Sequence, residues 1–163
     1  MTRKQSQPIN ILMADDDEDD RLLTVDALKE SRVLNNLFCV EDGVELLEFL
    51  RHEGKYSDPA SAPRPSLILL DLNMPGMEGL KLLQLAQKNK CTTKFIVLTM
   101  IKEESIFYKA KQLGAKGYLL KDHIIDELGI CTKKVLIGEE YMGKGIHSKL
   151  ITKRNPTSKL NQF

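Results

Sequence analysis

Leu67 to Pro75 reads LILLDLNMP: four apolar residues, a carboxylate, and a proline that turns the chain. A strand covered on both faces is an uninterrupted apolar run of this kind, because the parallel strands of a layered α/β fold have no solvent side. The same pattern recurs along the chain. Ile9 to Ala14 ends in Asp15 and Asp16, Phe95 to Leu98 ends in Thr99, and Tyr118 to Leu120 ends in Lys121. Arranged as parallel strands, these runs carry three carboxylates, a hydroxyl and an ammonium to one edge of a sheet. Open α/β sheets bind ligands just outside the carboxyl ends of their strands, which makes that edge the candidate active site.

Between the runs lie stretches with helical spacing. Leu22, Leu23, Val25, Ala27 and Leu28 form one face, with Asp17 or Glu18 placed to favour its N-terminus. Leu37 to Val40 is a short second strand, followed by a helix presenting Val44, Leu46, Leu47, Phe49 and Leu50. Glu53 to Ser66 holds Gly54, Pro59, Pro63 and Pro65 and is a loop. Leu80, Leu82, Leu83, Leu85 and Ala86 supply the third helix, and Ile106, Phe107, Ala110 and Leu113 the fourth, with Gly114 as its stop. Gly117 to Leu120 is the fifth strand. The last helix starts near Ile124 and buries Ile125, Leu128, Cys131, Val135 and Leu136, although Gly129 weakens it by about 1 kcal/mol relative to Ala. Five strands alternating with five helices is the βαβ signature of a parallel sheet covered on both faces.

A chain of 163 residues, 42% of them hydrophobic, suffices for one domain with a substantial core. The expected division is an arm over residues 1–8, a folded unit over 9–150 and a polar tail over 151–163, with no output domain. The tail is expected to be mobile or to order only against a partner. Lys and Arg total 24 against 23 Asp and Glu, so no global charge favours nucleic acid or a membrane surface. Lys153, Arg154 and Lys159 support at most weak, salt-sensitive, nonspecific nucleic-acid contact. Cys39, Cys91 and Cys131 show no CxxC spacing and read as small core residues in a reducing compartment. With no signal peptide and no apolar run near the roughly 20 residues of a membrane span, the cytoplasm is the expected location. Within the unbroken acidic run Asp15 to Asp20, the outer Asp19 and Asp20 read as a solvated helix start.

Asp15, Asp16 and Asp71 would raise one another's pKa values unless a cation sat among them. Mg²⁺ suits such a site, since it is held by one or two carboxylates, waters and phosphate oxygens. A carboxylate can also act as a nucleophile and form an aspartyl phosphate. Asp71 ends the central strand and stands apart from the acidic run, so it is the best acceptor. Lys121 and the Thr99 hydroxyl could contact the oxygens of an incoming phosphoryl group.

The succession ILMADD (Ile11 to Asp16), LILLDLNMP (Leu67 to Pro75), GMEG (Gly76 to Gly79), IVLT (Ile96 to Thr99) and GAKGYLLKD (Gly114 to Asp122) resembles the receiver domain of two-component response regulators, from roughly Ile9 to Ile137. The resemblance implies a flavodoxin-like (βα)5 doubly wound sandwich with a five-stranded parallel sheet in the order 2-1-3-4-5, a topology illustrated by a member of the family. It implies Asp71 as phosphoacceptor, Asp15 and Asp16 as the acidic pair, and the Asn73 carbonyl as a further Mg²⁺ ligand. It implies Thr99 as the switch hydroxyl, Lys121 as the salt-bridge partner of the phosphoryl group, and Tyr118 as the aromatic that swings inward behind Thr99. The implied partner is a sensor histidine kinase or a histidine phosphotransfer protein, with homodimerisation through the face of the fourth helix, fifth strand and fifth helix.

Two features depart from or refine that pattern. Receivers usually carry Pro in a cis peptide after the lysine, whereas Lys121 is followed by Asp122, for which a trans bond is the default. Residues 114–150 resemble receivers of helix-turn-helix regulators, while residues 41–75 resemble stand-alone receivers paired with bacterial phytochrome kinases. GEEYMGKG from Gly138 to Gly145 matches part of a P-loop, but Gly145 stands where Ser or Thr should bind Mg²⁺, and a helix stop and a turn explain the glycines better. The leading expectation is a single-domain regulator that switches a protein-interaction surface and catalyses only its own phosphorylation and dephosphorylation. The alternatives are a relay intermediate that passes phosphate onward, a pseudo-receiver scaffold, and a small phosphohydrolase. The last lacks an Asp-x-Asp pair, because Asn73 lies two residues after Asp71.

Overall fold

The computed structural model describes residues 7–146. Its strands are β1 (Ile9–Ala14), β2 (Asn35–Val40), β3 (Leu67–Asp71), β4 (Lys94–Thr99), β5 (Gly117–Leu120) and β6 (Tyr141–Met142). Its helices are α1 (Glu18–Glu30), α2 (Gly43–Arg51), α3 (Gly79–Lys88), α4 (Glu104–Gln112) and α5 (Ile124–Leu136). All strand pairs are parallel and the order is β2-β1-β3-β4-β5-β6. This is the flavodoxin-like arrangement expected from the alternation of apolar runs and helical faces, with one strand added at the edge.

The period-2 alternation of a strand divides the sheet's side chains between two cores. Leu12, Ile68, Leu70, Val97 and Tyr118 meet Leu46 and Phe49 of α2, Leu82 and Leu83 of α3, and Phe107 and Ala110 of α4 on one face. Ile11, Met13, Leu67, Leu69 and Leu98 meet Ala27 and Leu28 of α1 and Leu128, Cys131 and Val135 of α5 on the other. Every residue of β3 is buried, as its unbroken apolar run requires. The central position of β3 puts Asp71 in the middle of the sheet's carboxyl edge.

The structure corrects several expectations. The chain after α5 does not end in a simple turn. Gly138, at φ +92°, stops the helix, and Tyr141 and Met142 then lie along β5, with Tyr141 N donating to Lys116 O and Gly143 N to Tyr118 O. The near-match to a P-loop is therefore a helix stop leading into a sixth strand. β2 starts at Asn35, two residues before the apolar Leu37, because strand pairing with Ile9 and Asn10 does not depend on side-chain polarity. On α5, Ile124 rather than Ile125 is buried, four residues before Leu128 on the same face. Leu22 and Val44 are likewise exposed. Cys131 lies in the core, but Cys39 and Cys91 are exposed and are not core residues. The loop from Glu53 to Ser66 carries a 3-10 turn at Gly54–Tyr56 and buries Ala62, whose carbonyl lies 2.8 Å from His52 Nε2. Among the described residues no peptide bond is cis and no helix is long and apolar enough to cross a membrane. Residues 1–6 of the arm and the tail over 151–163 lie outside the described residues.

Candidate functional site

Strand register assembles the site. Ala14 pairs with Leu70, so Asp15 follows β1 beside Asp71, the last residue of β3. Thr99 closes β4 opposite Leu120, and Lys121 is the next residue after β5. Asp15, Asp71, Thr99 and Lys121 are all buried, whereas Asp16 and Asn73 are exposed. One carboxylate oxygen from each of Asp15, Asp16 and Asp71 lies within 4.8 Å of the others. Lys121 Nζ reaches into this group, 2.9 Å from Asp15 Oδ2 and 3.2 Å from Asp71 Oδ2.

The backbone completes the cradle. The N–H of Asp17 donates to Asp15 Oδ1 at 2.9 Å and that of Asn73 to Asp71 Oδ1 at 3.0 Å, so each buried carboxylate is held by its own following turn. Arg21 Nη1 donates to the Asp15 carbonyl at 2.8 Å. Gly79 opens α3 directly behind the site. A Cβ there would lie 2.7 Å from Leu72 Cα and 3.1 Å from the Asp71 carbonyl oxygen, so only glycine permits this approach to the β3 terminus.

Burial raises the Asp15 carboxyl above its ordinary 3.8; the Asp17 N–H and the Lys121 ammonium oppose the rise and the Asp71 charge adds to it. Burial pulls the Lys121 ammonium down, but Asp20, Asp15 and Asp71 outweigh it and hold its pKa above the ordinary lysine value. Lys121 is therefore a fixed cation at all physiological pH. Three carboxylates, those of Asp15, Asp20 and Asp71, share this one ammonium and Asp16 lies beside them, and the surplus negative charge fits a hard divalent cation. Asp15 Oδ2 touches Lys121 as an ion pair and has no hydrogen bond of proper geometry, which leaves a buried acceptor available at the same point.

Asp20 is the site residue that sequence reasoning missed. Read there as solvated, it instead makes the shortest contact to Lys121, 2.6 Å from Nζ. Asp17 is the N-cap of α1, and helical side chains tilt towards the helix N-terminus, so a first-turn aspartate falls back over the strand end. The acidic run thus divides: Asp15 and Asp16 at the site, Asp17 capping, Glu18 and Asp19 in solvent, and Asp20 returning to Lys121.

Thr99 Oγ1 accepts from the Ile101 N–H at 3.0 Å, which ties the hydroxyl to the loop leading into α4. Tyr118 is 1% exposed, packed inside the core with Phe107 and Ala110, and its hydroxyl donates to the Ala115 carbonyl. Burial raises its pKa well above the ordinary tyrosine range.

Residues 11–130 match the response regulator receiver domain family. Response regulator Rcp1 of Synechocystis is 31% identical over 130 residues, which cover 78% of this chain and 86% of Rcp1. The Mn(2+)-bound structure of Rcp1 aligns with a TM-score of 0.70 at 28% identity, covering 80% of this chain and 96% of that one. The phosphorylated cyanobacterial phytochrome response regulator RcpA aligns with a TM-score of 0.68 at 26% identity, covering 81% of this chain and 96% of RcpA. The probable transcriptional regulatory protein NarL of Mycobacterium tuberculosis is 30% identical over 128 residues, 78% of this chain, but the chain spans only 55% of NarL. A parallel sheet of this order, an aspartate cluster at its carboxyl edge and a family match across most of the chain lead to one conclusion: the protein belongs to the receiver domains of two-component response regulators.

Proposed function

We propose that the chain accepts a phosphoryl group on Asp71 from a phosphohistidine and uses it to alter a protein-binding face. The observation that carries this reading is the Asp71 carboxylate itself, 3% exposed at the end of the central strand, held by the Asn73 N–H and 3.2 Å from a buried ammonium. An Asp71 carboxylate oxygen attacks phosphorus, the P–N bond to the donor imidazole breaks, and its electron pair leaves with the nitrogen, which takes a proton from solvent. Lys121 and Thr99 stand at neighbouring strand ends, and their ammonium and hydroxyl would receive the phosphoryl oxygens. Asp15, Asp16, Asp71 and the Asn73 carbonyl would hold Mg²⁺, which when bound supplies neutralisation of the phosphoryl charge. Water then attacks phosphorus, the bond from phosphorus to the Asp71 oxygen breaks and inorganic phosphate leaves, which restores the carboxylate without turnover of a separate substrate.

The switch runs from Thr99 through Tyr118 to α4, β5 and α5 and is the output of the folded unit over residues 9–150. A second copy of the chain is the proposed occupant of that face. The likeness to RcpA, a phytochrome response regulator, supports a phytochrome-like histidine kinase in the cytoplasm as donor, directly or through a phosphotransfer protein. The arm and the tail are proposed to add neither a specific nucleic-acid nor a membrane contact.

Wild type and Asp71→Asn incubated with a small acyl phosphate, with and without Mg²⁺, and followed by intact mass and size together, test the reading. The expected result is a phosphoryl adduct that requires both Asp71 and Mg²⁺, with a size change that follows the adduct. An adduct that survives Asp71→Asn, or none under conditions that label another receiver, overturns it.

A further inference from the structure

Lys121 makes its shortest contact not with Asp15 or with Asp71 but with Asp20, at 2.6 Å against 2.9 and 3.2 Å. Asp20 sits on a different element from the other two partners and is itself built in. Its N–H donates to the Asp17 cap at 3.0 Å and its carbonyl accepts from Thr24 Oγ1 at 2.9 Å, so the carboxylate cannot drift with a loop. Its side chain is 28% exposed while that of Lys121 is 7% exposed, which places it at the outer rim of the charge cluster.

We propose that Asp20 is a positioning residue that draws the Lys121 ammonium outward from Asp15 and Asp71 and so keeps those two carboxylates available to a divalent cation. The inference rests on the reading of the site as a Mg²⁺-dependent phosphoacceptor and adds a residue to it. An ammonium shared three ways neutralises each carboxylate less than one shared two ways. With Asp20 removed, Lys121 settles fully on Asp15 and Asp71 and competes with the cation for the same oxygens.

Calorimetric titration of the full chain with Mg²⁺ alone tests this. The variants are Asp20→Asn and Asp19→Asn, which remove the same charge one residue apart, each also made in a Lys121→Met background. Asp20→Asn is expected to weaken Mg²⁺ binding about fivefold, within the range measured for charged neighbours. Asp19→Asn, exposed on the same turn, is expected to change it less than about twofold. In the Lys121→Met background the two variants should be equal. Equal effects of Asp19→Asn and Asp20→Asn with Lys121 in place overturn the proposal, and that comparison decides it even where Lys121→Met fails to fold. An excess loss for Asp20→Asn that persists without Lys121 also overturns it, because Asp20 would then act on the metal directly. Because the titration needs no phosphoryl transfer, an Asp71 that binds Mg²⁺ normally but takes no phosphoryl group sinks the acceptor reading and leaves the role of Asp20 standing. Wild type that binds no Mg²⁺ removes both.

Discussion

An ammonium within 3.2 Å of three carboxylates is a stabilising centre only while every member is present. Removing one partner of a buried ion pair strands the others, which costs more than the pair contributes in place. Lys121→Met should therefore lose about 3 kcal/mol of stability near neutral pH. The sign of its pH dependence follows from Asp15, whose folded pKa burial already holds above 3.8 and which loses its opposing ammonium in the variant. A folded state that binds this proton more tightly than the unfolded chain gains stability as pH falls through the raised value. The gap between wild type and Lys121→Met, measured by urea unfolding, should narrow as pH falls from neutrality through the raised Asp15 value. Asp15, Asp16, Asp71, Thr99 and Lys121 were legible in the sequence because each follows an apolar run and strand ends converge in a parallel sheet. Asp20 was not, because its partner lies 101 residues away and nothing local separates it from a solvated cap.

At the scale of elements, the seam between β5 and α5 depends on a missing side chain. A Cβ at Gly117 would lie 2.8 Å from both Cys131 Sγ and Ile96 Cγ1. Gly117→Ala should cost about 1–3 kcal/mol, the usual range for overfilling a close-packed site. Combining it with Cys131→Ala should restore part of that loss in chemical denaturation, since one of the two clashes goes and the Ile96 contact stays. Among the described residues, the five longer strands could be read as apolar runs and the five helices from the spacing of their apolar residues, because each is long enough to show a pattern. β6 could not: two residues have no period, and their place is set by main-chain bonds to Lys116 and Tyr118 and by the buried Glu127. That carboxylate accepts from the Tyr141 hydroxyl at 3.1 Å and the Lys144 N–H at 2.9 Å, contacts between segments with no shared sequence signal. The misplaced Ile125 has another origin. Positions three and four residues before Leu128 both suit its face in the sequence, and in the helix Ile124, at the four-residue spacing, takes the buried one.

Across the whole molecule, the sheet separates the α1 and α5 core from the core in which Tyr118 lies with Phe107 and Ala110 of α4. Thr99 accepts from Ile101 in the loop before α4, and Tyr118 shares a core with Phe107 and Ala110 of α4 and pairs with Met142 of β6. Phosphorylated wild type should therefore change its amide exchange at Glu104–Gln112 and Tyr141–Met142 and leave Glu18–Glu30 unchanged. Thr99→Ala should still gain the adduct on Asp71 but show no change at either segment, as hydrogen exchange followed by mass spectrometry would read. Adducts that alter α4 equally in both proteins would place the coupling elsewhere. β6 also has a consequence for how the molecule behaves when concentrated. A two-residue strand is too short to template another chain, so it blunts the β5 side of the sheet against edge-to-edge aggregation. The other margin is β2, six residues long, with Asn35, Asn36 and the exposed thiol of Cys39 along it. Misassembly of this protein should begin there.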